Sequence, residues 1–354
     1  MRLRQIVPLV VLVTACSGTA ATTTTTTEPP ATTSTVPATT TTSPVPTTTT
    51  TTVPTGELVL PAATEAMPDT WREVFFIPYG ETPDTLGTSL GGDGEGIFWG
   101  PEYGAQAPDG SWWFLDTAKF RLAHFSPTGE YLEEVVVPTE MLVNGQYFQW
   151  SFPRVMADGT VLAARITGGT HYIRYRDGVL DGFEVPVAAV PRADDGEIIY
   201  AMDFETSGLW AVDPTTESAD PIDFMRGRDG SRYTVTVSPG TIHIDFPDTA
   251  TNAMFEFTAD EVGGPAYLSI EVMTDEEGTL HFFILGLPEA DESLQLAGYA
   301  AVSASGELLV LEPMMNPFTT SDPGTPARLG VTPGRTSPTF IHIGTDGVRV
   351  YTKD

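Results

Sequence analysis

The sequence predicts an all-β fold, a β-propeller of six four-stranded blades. Three observations lead to this prediction. Long helical periodicity is almost absent, and short β-rich runs are instead separated by Gly, Pro and Asp-Gly turns. Residues 103–138 read as four short strands joined by tight turns, the pattern of one antiparallel blade. Similar units then recur along the chain, which indicates a ring of repeats.

The clearest unit has turns at Gly110 and Gly129. Its four predicted strands are 104–107, 112–116, 122–125 and 131–137. Trp112 and Trp113 are neighbours on one of these strands, so their side chains point to opposite faces of the sheet. We therefore expect at least one of the two tryptophans to pack between blades.

Turns that precede a β-rich run recur at intervals of 49, 37, 44, 38 and 69 residues. They end at Gly110, Gly159, Gly196, Gly240, Gly278 and Gly347, and a second set of turns ends at Gly129, Gly178 and Gly306. The first four intervals suit a blade of about 40 to 50 residues. The last interval requires an insertion, which the Pro-, Gly- and Thr-rich residues 314–336 supply.

The two chain ends are predicted to share the last blade. The chain stops soon after the sixth turn, so 348–351 is its last strand and two strands of that blade are missing. Residues 57–60 and 73–77 are the candidates to complete it, because pairing the two ends removes exposed sheet edges. Within the last strand we expect Val348 and Val350 to face the neighbouring blade. Seven blades, or a pair of β-sandwiches, are the alternatives.

The run APDGSWWFLD at residues 107–116, followed by RLAHFSPTG at residues 121–129, resembles a blade of NHL-type and SMP-30/gluconolactonase-like six-bladed propellers. The resemblance is clear over this one blade and faint elsewhere. It implies a fold class and no particular activity, because propellers host unrelated functions.

Residues 1–15 have the features of a secretory signal: Arg2 and Arg4, a short apolar run, and small residues before Cys16. The apolar run is too short to span a bilayer. Residues 13–16 resemble the lipobox of bacterial lipoproteins, in which the cysteine receives a diacylglycerol and the signal is cut just before it. An ordinary cleaved signal with a chance cysteine is the alternative. Cys16 is the only cysteine, so no intramolecular disulfide forms.

Residues 16–56 are predicted to be a disordered stalk behind the lipidated cysteine. Threonine and proline dominate this segment, and it has too few apolar residues to form a core. In extended polyproline-like conformation it reaches roughly 120 Å. The folded domain is then residues 57–354, and we expect it at the extracytoplasmic face of the cell membrane, held by the lipid.

The net charge of −30 limits the partners of this domain. So negative a protein repels phosphate backbones, which excludes nucleic acid as a favourable partner, and it does not dock electrostatically on anionic lipid. We expect a monomer whose membrane contact is made by the lipid anchor.

Motifs for catalysis are missing from the sequence. It has no Gly-x-Ser-x-Gly elbow, no phosphate-binding loop and no pair of histidines with metal-ligand spacing. The histidines all lie in predicted strands, and they are His124, His171, His243, His281 and His342. We therefore predict no catalytic residue and no cofactor.

Two weaker sets of candidate site residues remain. Lactonase-like propellers hold calcium with oxygen ligands in the central channel, and the resemblance implies Asp116, Asp203 and Glu205 as weak candidates for such ligands. The first two are more typical of turn caps. The aromatic cluster in the long connection after the first blade is a candidate ligand surface, unless it folds back over the core. Its members are Tyr147, Phe148, Trp150 and Phe152.

These observations favour a non-catalytic binding module, displayed at the membrane surface, that engages a protein, a glycan or a small molecule. A calcium-dependent lactonase or hydrolase is the first alternative, because a site assembled from several blades leaves no sequence motif. A structural component of the cell envelope is the second alternative.

Overall fold

The regular structure of the described chain consists of β-strands. The structure is a computed structural model that describes residues 56–353 apart from a few segments. The segments outside this description are 65, 91–97, 100, 139–140, 142–152, 167–168, 204–205, 239, 250, 260–265, 289–295, 316–327, 331–336 and 345. The predicted signal and most of the predicted stalk also lie outside the described residues.

Four strands precede the first complete blade. They are β1 (Gly56–Leu60), β2 (Trp71–Pro78), β3 (Ser89–Leu90) and β4 (Phe98–Trp99). The last two pair with each other in a small two-stranded sheet, whereas β1 and β2 join sheets formed by later parts of the chain.

Six antiparallel four-stranded blades follow one another, as the sequence predicts. Blade 1 contains β5 (Pro101–Gln106), β6 (Trp112–Asp116), β7 (Arg121–Phe125) and β8 (Tyr131–Val136). Blade 2 contains β9 (Arg154–Val155), β10 (Val161–Ile166), β11 (Thr170–Arg176) and β12 (Val179–Val185). Blade 3 contains β13 (Ala189–Asp194), β14 (Ile199–Asp203), β15 (Leu209–Asp213) and β16 (Ser218–Ile222).

The remaining three blades have the same order of strands. Blade 4 contains β17 (Met225–Arg226), β18 (Arg232–Ser238), β19 (Thr241–Phe246) and β20 (Thr251–Ala259). Blade 5 contains β21 (Ala266–Thr274), β22 (Leu280–Pro288), β23 (Leu296–Val302) and β24 (Leu308–Pro313). Blade 6 contains β25 (Arg328–Gly330), β26 (Thr339–Ile343), β27 (Gly347–Lys353) and the N-terminal β2.

Apolar clusters fill every space between neighbouring blades, so the ring is closed. Each blade buries side chains on both of its faces, and Trp112 and Trp113 show this directly. Trp112 packs in the cluster between blades 6 and 1, whereas Trp113 packs in the cluster between blades 1 and 2. The prediction that one of them packs between blades is confirmed, and it holds for both.

Ring closure depends on the pairing of the two chain ends. β2 pairs antiparallel with β27, from Trp71 opposite Lys353 to Pro78 opposite Gly347. Val348 and Val350 of β27 are fully buried in the cluster between blades 6 and 1, as predicted. Burying each valine contributes about 1.5 to 3 kcal/mol relative to leaving it in water.

The prediction for residues 57–60 is wrong. β1 does not join blade 6; it adds to the outer edge of blade 4 as a fifth strand, parallel to β20. The chain then crosses blade 5, where the Ala297 amide donates to the Pro61 carbonyl and the Thr64 amide donates to the Met314 carbonyl. The other missing strand of blade 6 is β25, which lies inside the segment predicted to be an insertion.

A tight turn joins the first and second strands of blades 1 to 5. In blades 1, 2 and 4, an aspartate side chain accepts the amide of the residue two positions later, as Asp109 does from Ser111 at 2.9 Å. A glycine with positive φ follows the aspartate, for example Gly110 at 88°. The backbone of an L-residue with a side chain is strained in this region, so glycine is favoured there.

Two of the predicted blade markers mark a different turn. Gly240 and Gly347 lie between the second and third strands of their blades, and the equivalent first turn of blade 4 ends at Gly230. A glycine turn before a β-rich run has the same sequence pattern at either position. The misplacement of Gly347 also explains the interval of 69 residues.

Candidate functional site

Ionisable side chains from blades 2, 3 and 4 meet near the central axis. First strands of neighbouring blades contact each other around this axis, as β5 does with β9 and β21 does with β25. The turns that follow the first strands lie at one end of this axis, and we call this end the turn end of the channel. Asp194 is the last residue of β13 and immediately precedes such a turn, Arg154 begins β9, and Arg228 follows β17. Asp194 and Arg154 thus belong to first strands, and Arg228 belongs to a first turn. We refer to Arg154, Asp194 and Arg228 as the arginine cluster.

Asp194 lies between the two arginines. Its Oδ1 atom is 2.7 Å from Nη2 of Arg228, and its Oδ2 atom is 3.7 Å from Nε of Arg154. Oδ1 also accepts the Gly196 amide at 3.1 Å, which ties the carboxylate to the turn that follows it. The side chains of Asp194 and Arg228 are 2% and 6% exposed, whereas that of Arg154 keeps 16% exposure. The cluster therefore reaches solvent on the side of blade 2.

Several buried donors of this region have no hydrogen-bond partner among the residues that the structure describes. They are Nη1 of Arg228, Nε of Arg154, and the hydroxyl groups of Tyr172 and Tyr233. A buried donor without an acceptor costs about 1 to 3 kcal/mol, and more when the group is charged. A site with this many unsatisfied donors is therefore suited to a bound acceptor.

Burial has the largest effect on the electrostatics of the cluster. It holds the pKa of Arg228 below its ordinary value; Arg154 lowers this pKa further, whereas Asp194, Asp195 and Glu276 raise it. Burial likewise raises the pKa of the Tyr233 hydroxyl, and the charges of Asp194 and Asp195 raise it further. Tyr233 therefore remains a neutral hydroxyl beside the cluster.

Asp195 is a second carboxylate beside the cluster, and its oxygens are already hydrogen-bonded. Oδ1 accepts the amides of Glu197 at 3.0 Å and Ile198 at 2.7 Å, and Oδ2 accepts the Tyr200 hydroxyl at 2.6 Å. Burial raises the pKa of Tyr200, and the hydrogen bond to Asp195 raises it further. Asp195 thus shapes the turn and leaves Asp194 as the carboxylate that both arginines share.

Asp116 and Asp203 make the contacts of turn caps. Asp116 is fully buried, with Oδ2 accepting the Gly87 amide and Nε of Arg121, each at 3.0 Å, and Oδ1 accepting the Lys119 amide at 3.3 Å. Asp203 accepts the Thr206 amide at 3.0 Å. Among the described residues, no three His, Cys, Asp or Glu side chains are grouped so as to hold a metal ion.

The other predicted site residues cannot be placed. Glu205 lies outside the described residues, as does the lipidation candidate Cys16. The same holds for the whole aromatic cluster, which comprises Tyr147, Phe148, Trp150 and Phe152. Calcium binding and the aromatic ligand surface therefore stay predictions.

The five histidines all lie in strands, as predicted. His281 is buried, with Nδ1 2.8 Å from the Tyr299 hydroxyl and Nε2 3.0 Å from Asp275 Oδ2. The pKa of His342 is lowered to about 4, mainly by burial and further by the charge of Arg349. Both histidines therefore belong to the packed interior of their blades.

One arrangement in blade 1 has the order of a serine hydrolase relay. Nε2 of His124 is 2.8 Å from Oγ of Ser111, and its Nδ1 is 3.2 Å from Oε1 of Glu133. However, Ser111 is 2% exposed and its hydroxyl lies 2.6 Å from Asp109, to which it donates. Because the hydroxyl is inaccessible and its proton is held by Asp109, this group stabilises the turn and does not present a nucleophile.

No sequence motif points to the arginine cluster, because its members come from three different blades. A usable signal was nevertheless present. Arg154 and Arg228 lie within five residues before the turn glycines Gly159 and Gly230, in a chain that has only 17 lysines and arginines. Two arginines at the first strand or first turn of the blades on either side of a third blade can meet near the axis.

The chain was compared with known protein families. A family profile described as "Domain of unknown function (DUF7485)" matches residues 69–353. The chain belongs to the DUF7485 family. The family match begins just before β2 and ends with β27, so it covers the blades and leaves out β1. No curated protein sequence matches.

Solved structures with similar folds have little sequence in common with this chain. A virginiamycin B lyase from Staphylococcus aureus is 8% identical, with a TM-score of 0.41, over 80% of this chain and 98% of that one. A putative exported protein from Bacteroides fragilis is 9% identical, with a TM-score of 0.46, over 84% and 99%. A luciferin-regenerating enzyme is 12% identical, with a TM-score of 0.39, over 71% and 91%. Values this low transfer no activity to this chain.

Proposed function

We propose that this protein is a lipid-anchored propeller at the extracytoplasmic face of the cell membrane that binds a ligand without transforming it. The observation that carries the proposal is the arginine cluster: buried donors from blades 2 and 4 meet beside Asp194 of blade 3 at the turn end of the channel, and the described residues supply them with too few acceptors. A rigid closed ring holds such a site in a fixed geometry, and preorganised donors favour binding.

The described chemistry favours binding over catalysis. Ser111, beside His124, is buried and hydrogen-bonded. The oxygens of Asp116 accept hydrogen bonds from the Gly87 amide, the Lys119 amide and Arg121. The arginine cluster itself offers donors and charge, which orient and hold a ligand, but it presents no exposed nucleophile.

The anchor is proposed on the sequence of residues 13–16. Cys16 would carry the lipid, and the stalk would hold the propeller away from the membrane. Among the described residues, no helix is long and apolar enough to cross a bilayer. Cys16→Ala should move the protein from the membrane fraction to the soluble fraction. A Cys16→Ala protein that still sediments with membranes would contradict lipid anchoring.

The binding activity can be tested on a chain that begins at residue 51, because residues 51–354 form one compact unit that contains β1 and all six blades. Acetate, inorganic phosphate, glucose and calcium chloride are each titrated calorimetrically against this chain and against its Arg228→Met variant. We expect saturable binding of at least one solute, and loss of that binding in the variant. If no solute binds saturably to the parent chain, a ligand site at this end of the channel is contradicted.

The same chain is also incubated with gluconolactone, with calcium or with EDTA, while acid release is followed. Under the proposal, hydrolysis equals the uncatalysed rate in both conditions. Calcium-dependent turnover would instead establish the hydrolase alternative.

A further inference from the structure

The donors and acceptors of the arginine cluster are unequal in number. One guanidinium nitrogen of Arg228 is bonded to Asp194, whereas Nη1 of the same group is buried and has no partner in the described part of the chain. Nε of Arg154 is too far from Asp194 for a hydrogen bond, at 3.7 Å, and the described residues offer it no other partner. Two guanidinium groups therefore face a single carboxylate that cannot satisfy both of them.

The charges are unequal in the same sense. In direct contact, Asp194 carries one negative charge against the two positive charges of Arg154 and Arg228. The charges of Asp195 and Glu276 also act on Arg228, but among the described residues neither forms an ion pair with the cluster, and the oxygens of Asp195 are held by backbone amides and by Tyr200. A buried cation is retained when it is paired, and removing it from water without a partner is costly. The missing component therefore has both acceptor atoms and negative charge.

A water molecule meets only part of this requirement. Its oxygen accepts from the unpartnered N–H groups, but it brings no charge, and its own hydrogens need acceptors in a region that is rich in donors. A carboxylate or another oxyanion supplies several acceptor sites and one negative charge together, and guanidinium groups bind such anions with strong, charge-assisted hydrogen bonds.

We propose that the arginine cluster binds a small oxyanion, a carboxylate or a phosphate-like group, held by Arg228 and Arg154 beside Asp194. This inference rests on the proposed binding function and names the chemical class of its ligand. In a protein with a net charge of −30, a local positive site of this kind selects an anion by direct contact, since the protein as a whole repels anions.

The test compares acetate with acetamide, which has nearly the same shape and no charge. Both are titrated against the chain that begins at residue 51, at constant ionic strength set with chloride. We expect acetate to bind saturably and acetamide not to bind. Arg228→Met should weaken acetate binding about tenfold or more, the effect of losing one charged hydrogen bond. Circular dichroism verifies that each variant is folded.

For Asp194→Asn we predict the opposite effect on acetate affinity, which would not be expected if the cluster only stabilised the fold. Removing the competing carboxylate leaves more positive charge and frees a donor of Arg228, so acetate affinity should rise several-fold. This variant also keeps the test decisive if Arg228→Met fails to fold. Arg232→Met is the matched control, because Arg232 is an arginine of the same blade that is 38% exposed and bonded to Asp248. It should bind acetate like the parent.

Three results would overturn the oxyanion assignment. The first is equal behaviour of acetate and acetamide, which would show an uncharged or water-filled pocket. The second is parental acetate affinity in both Arg228→Met and Asp194→Asn. The third is saturable glucose binding that Arg228→Met abolishes while acetate does not bind; it would retain the binding function and remove only the proposed ligand class.

Discussion

Glu312 connects both ends of the chain to blade 5, and its replacement should therefore weaken ring closure. Oε1 accepts the indole N–H of Trp71 at 2.7 Å and the ammonium of Lys353 at 2.6 Å. Trp71 begins β2, Lys353 ends β27, and the two residues pair with each other in blade 6. A single carboxylate on the neighbouring blade thus holds the first and last residues of the closing strand pair.

The magnitude follows from burial. Trp71 is 5% exposed, and the side chains of Glu312 and Lys353 are each 16% exposed. In Glu312→Ala an indole donor is left buried and unpaired, which costs about 1 to 3 kcal/mol, and a partly screened charged hydrogen bond is lost. We expect a total loss of about 3 kcal/mol. Glu312→Gln keeps an oxygen acceptor but loses the charge, so it should cost about 1 kcal/mol.

Urea unfolding followed by circular dichroism measures this loss, provided that the transition is two-state. For a domain of this size, about 3 kcal/mol lowers the midpoint by about 1 M. Glu307→Ala is the control, because Glu307 is an exposed glutamate of the same blade and should change stability by less than about 0.5 kcal/mol. If Glu312→Ala unfolds at the same urea concentration as Glu307→Ala, Glu312 does not stabilise the closure.

Three further predictions concern other parts of the ring. Deleting residues 346–354 removes the buried valines of β27 and leaves β2 unpaired. The free energy of unfolding should therefore fall by several kcal/mol, or the fold should be lost. A deletion variant that melts like the parent would contradict ring closure by these strands. His342 has a pKa of about 4 in the folded protein and an ordinary value near 6.5 when unfolded, so the unfolded chain binds the extra proton. The free energy of unfolding should therefore fall by up to about 1.4 kcal/mol per pH unit as the pH drops from about 6.5 to 4. This decline should be shallower in His342→Gln than in the control His243→Gln, because His243 is exposed. Equal slopes in the two variants would contradict this role of His342. Asp116→Asn breaks a buried ion pair with Arg121, so it should lower the free energy of unfolding in urea by about 3 kcal/mol, equally in calcium and in EDTA. If calcium stabilises the parent but not Asp116→Asn, Asp116 instead belongs to a metal site.

Blade architecture was accessible from the sequence because the turns have a local chemical signature. Asp-Gly turns such as that at Gly110 require positive φ, and the short β-rich runs between them have no competing helical pattern. The pairing of residues 73–77 with the last strand followed from strand counting. The position of β1 did not, because an edge strand has the same sequence pattern whichever edge it joins.

The sequence also does not show where blades 4 and 6 begin. Their first strands, β17 and β25, contain only two and three residues, so they leave almost no periodic pattern. The arginine cluster was hidden for a different reason. Arg154, Asp194 and Arg228 are brought together by the curvature of the ring, and the one local signal is the position of the two arginines before turn glycines.

A high-resolution crystal structure of the chain that begins at residue 51, grown in acetate, would show directly whether the arginine cluster binds an oxyanion. We predict a planar anion with an oxygen about 3 Å from Nη1 of Arg228, a distance typical of N–H···O hydrogen bonds. Density for a lone water molecule beside Nη1, or a protein oxygen bonded to it, would contradict the proposed oxyanion site.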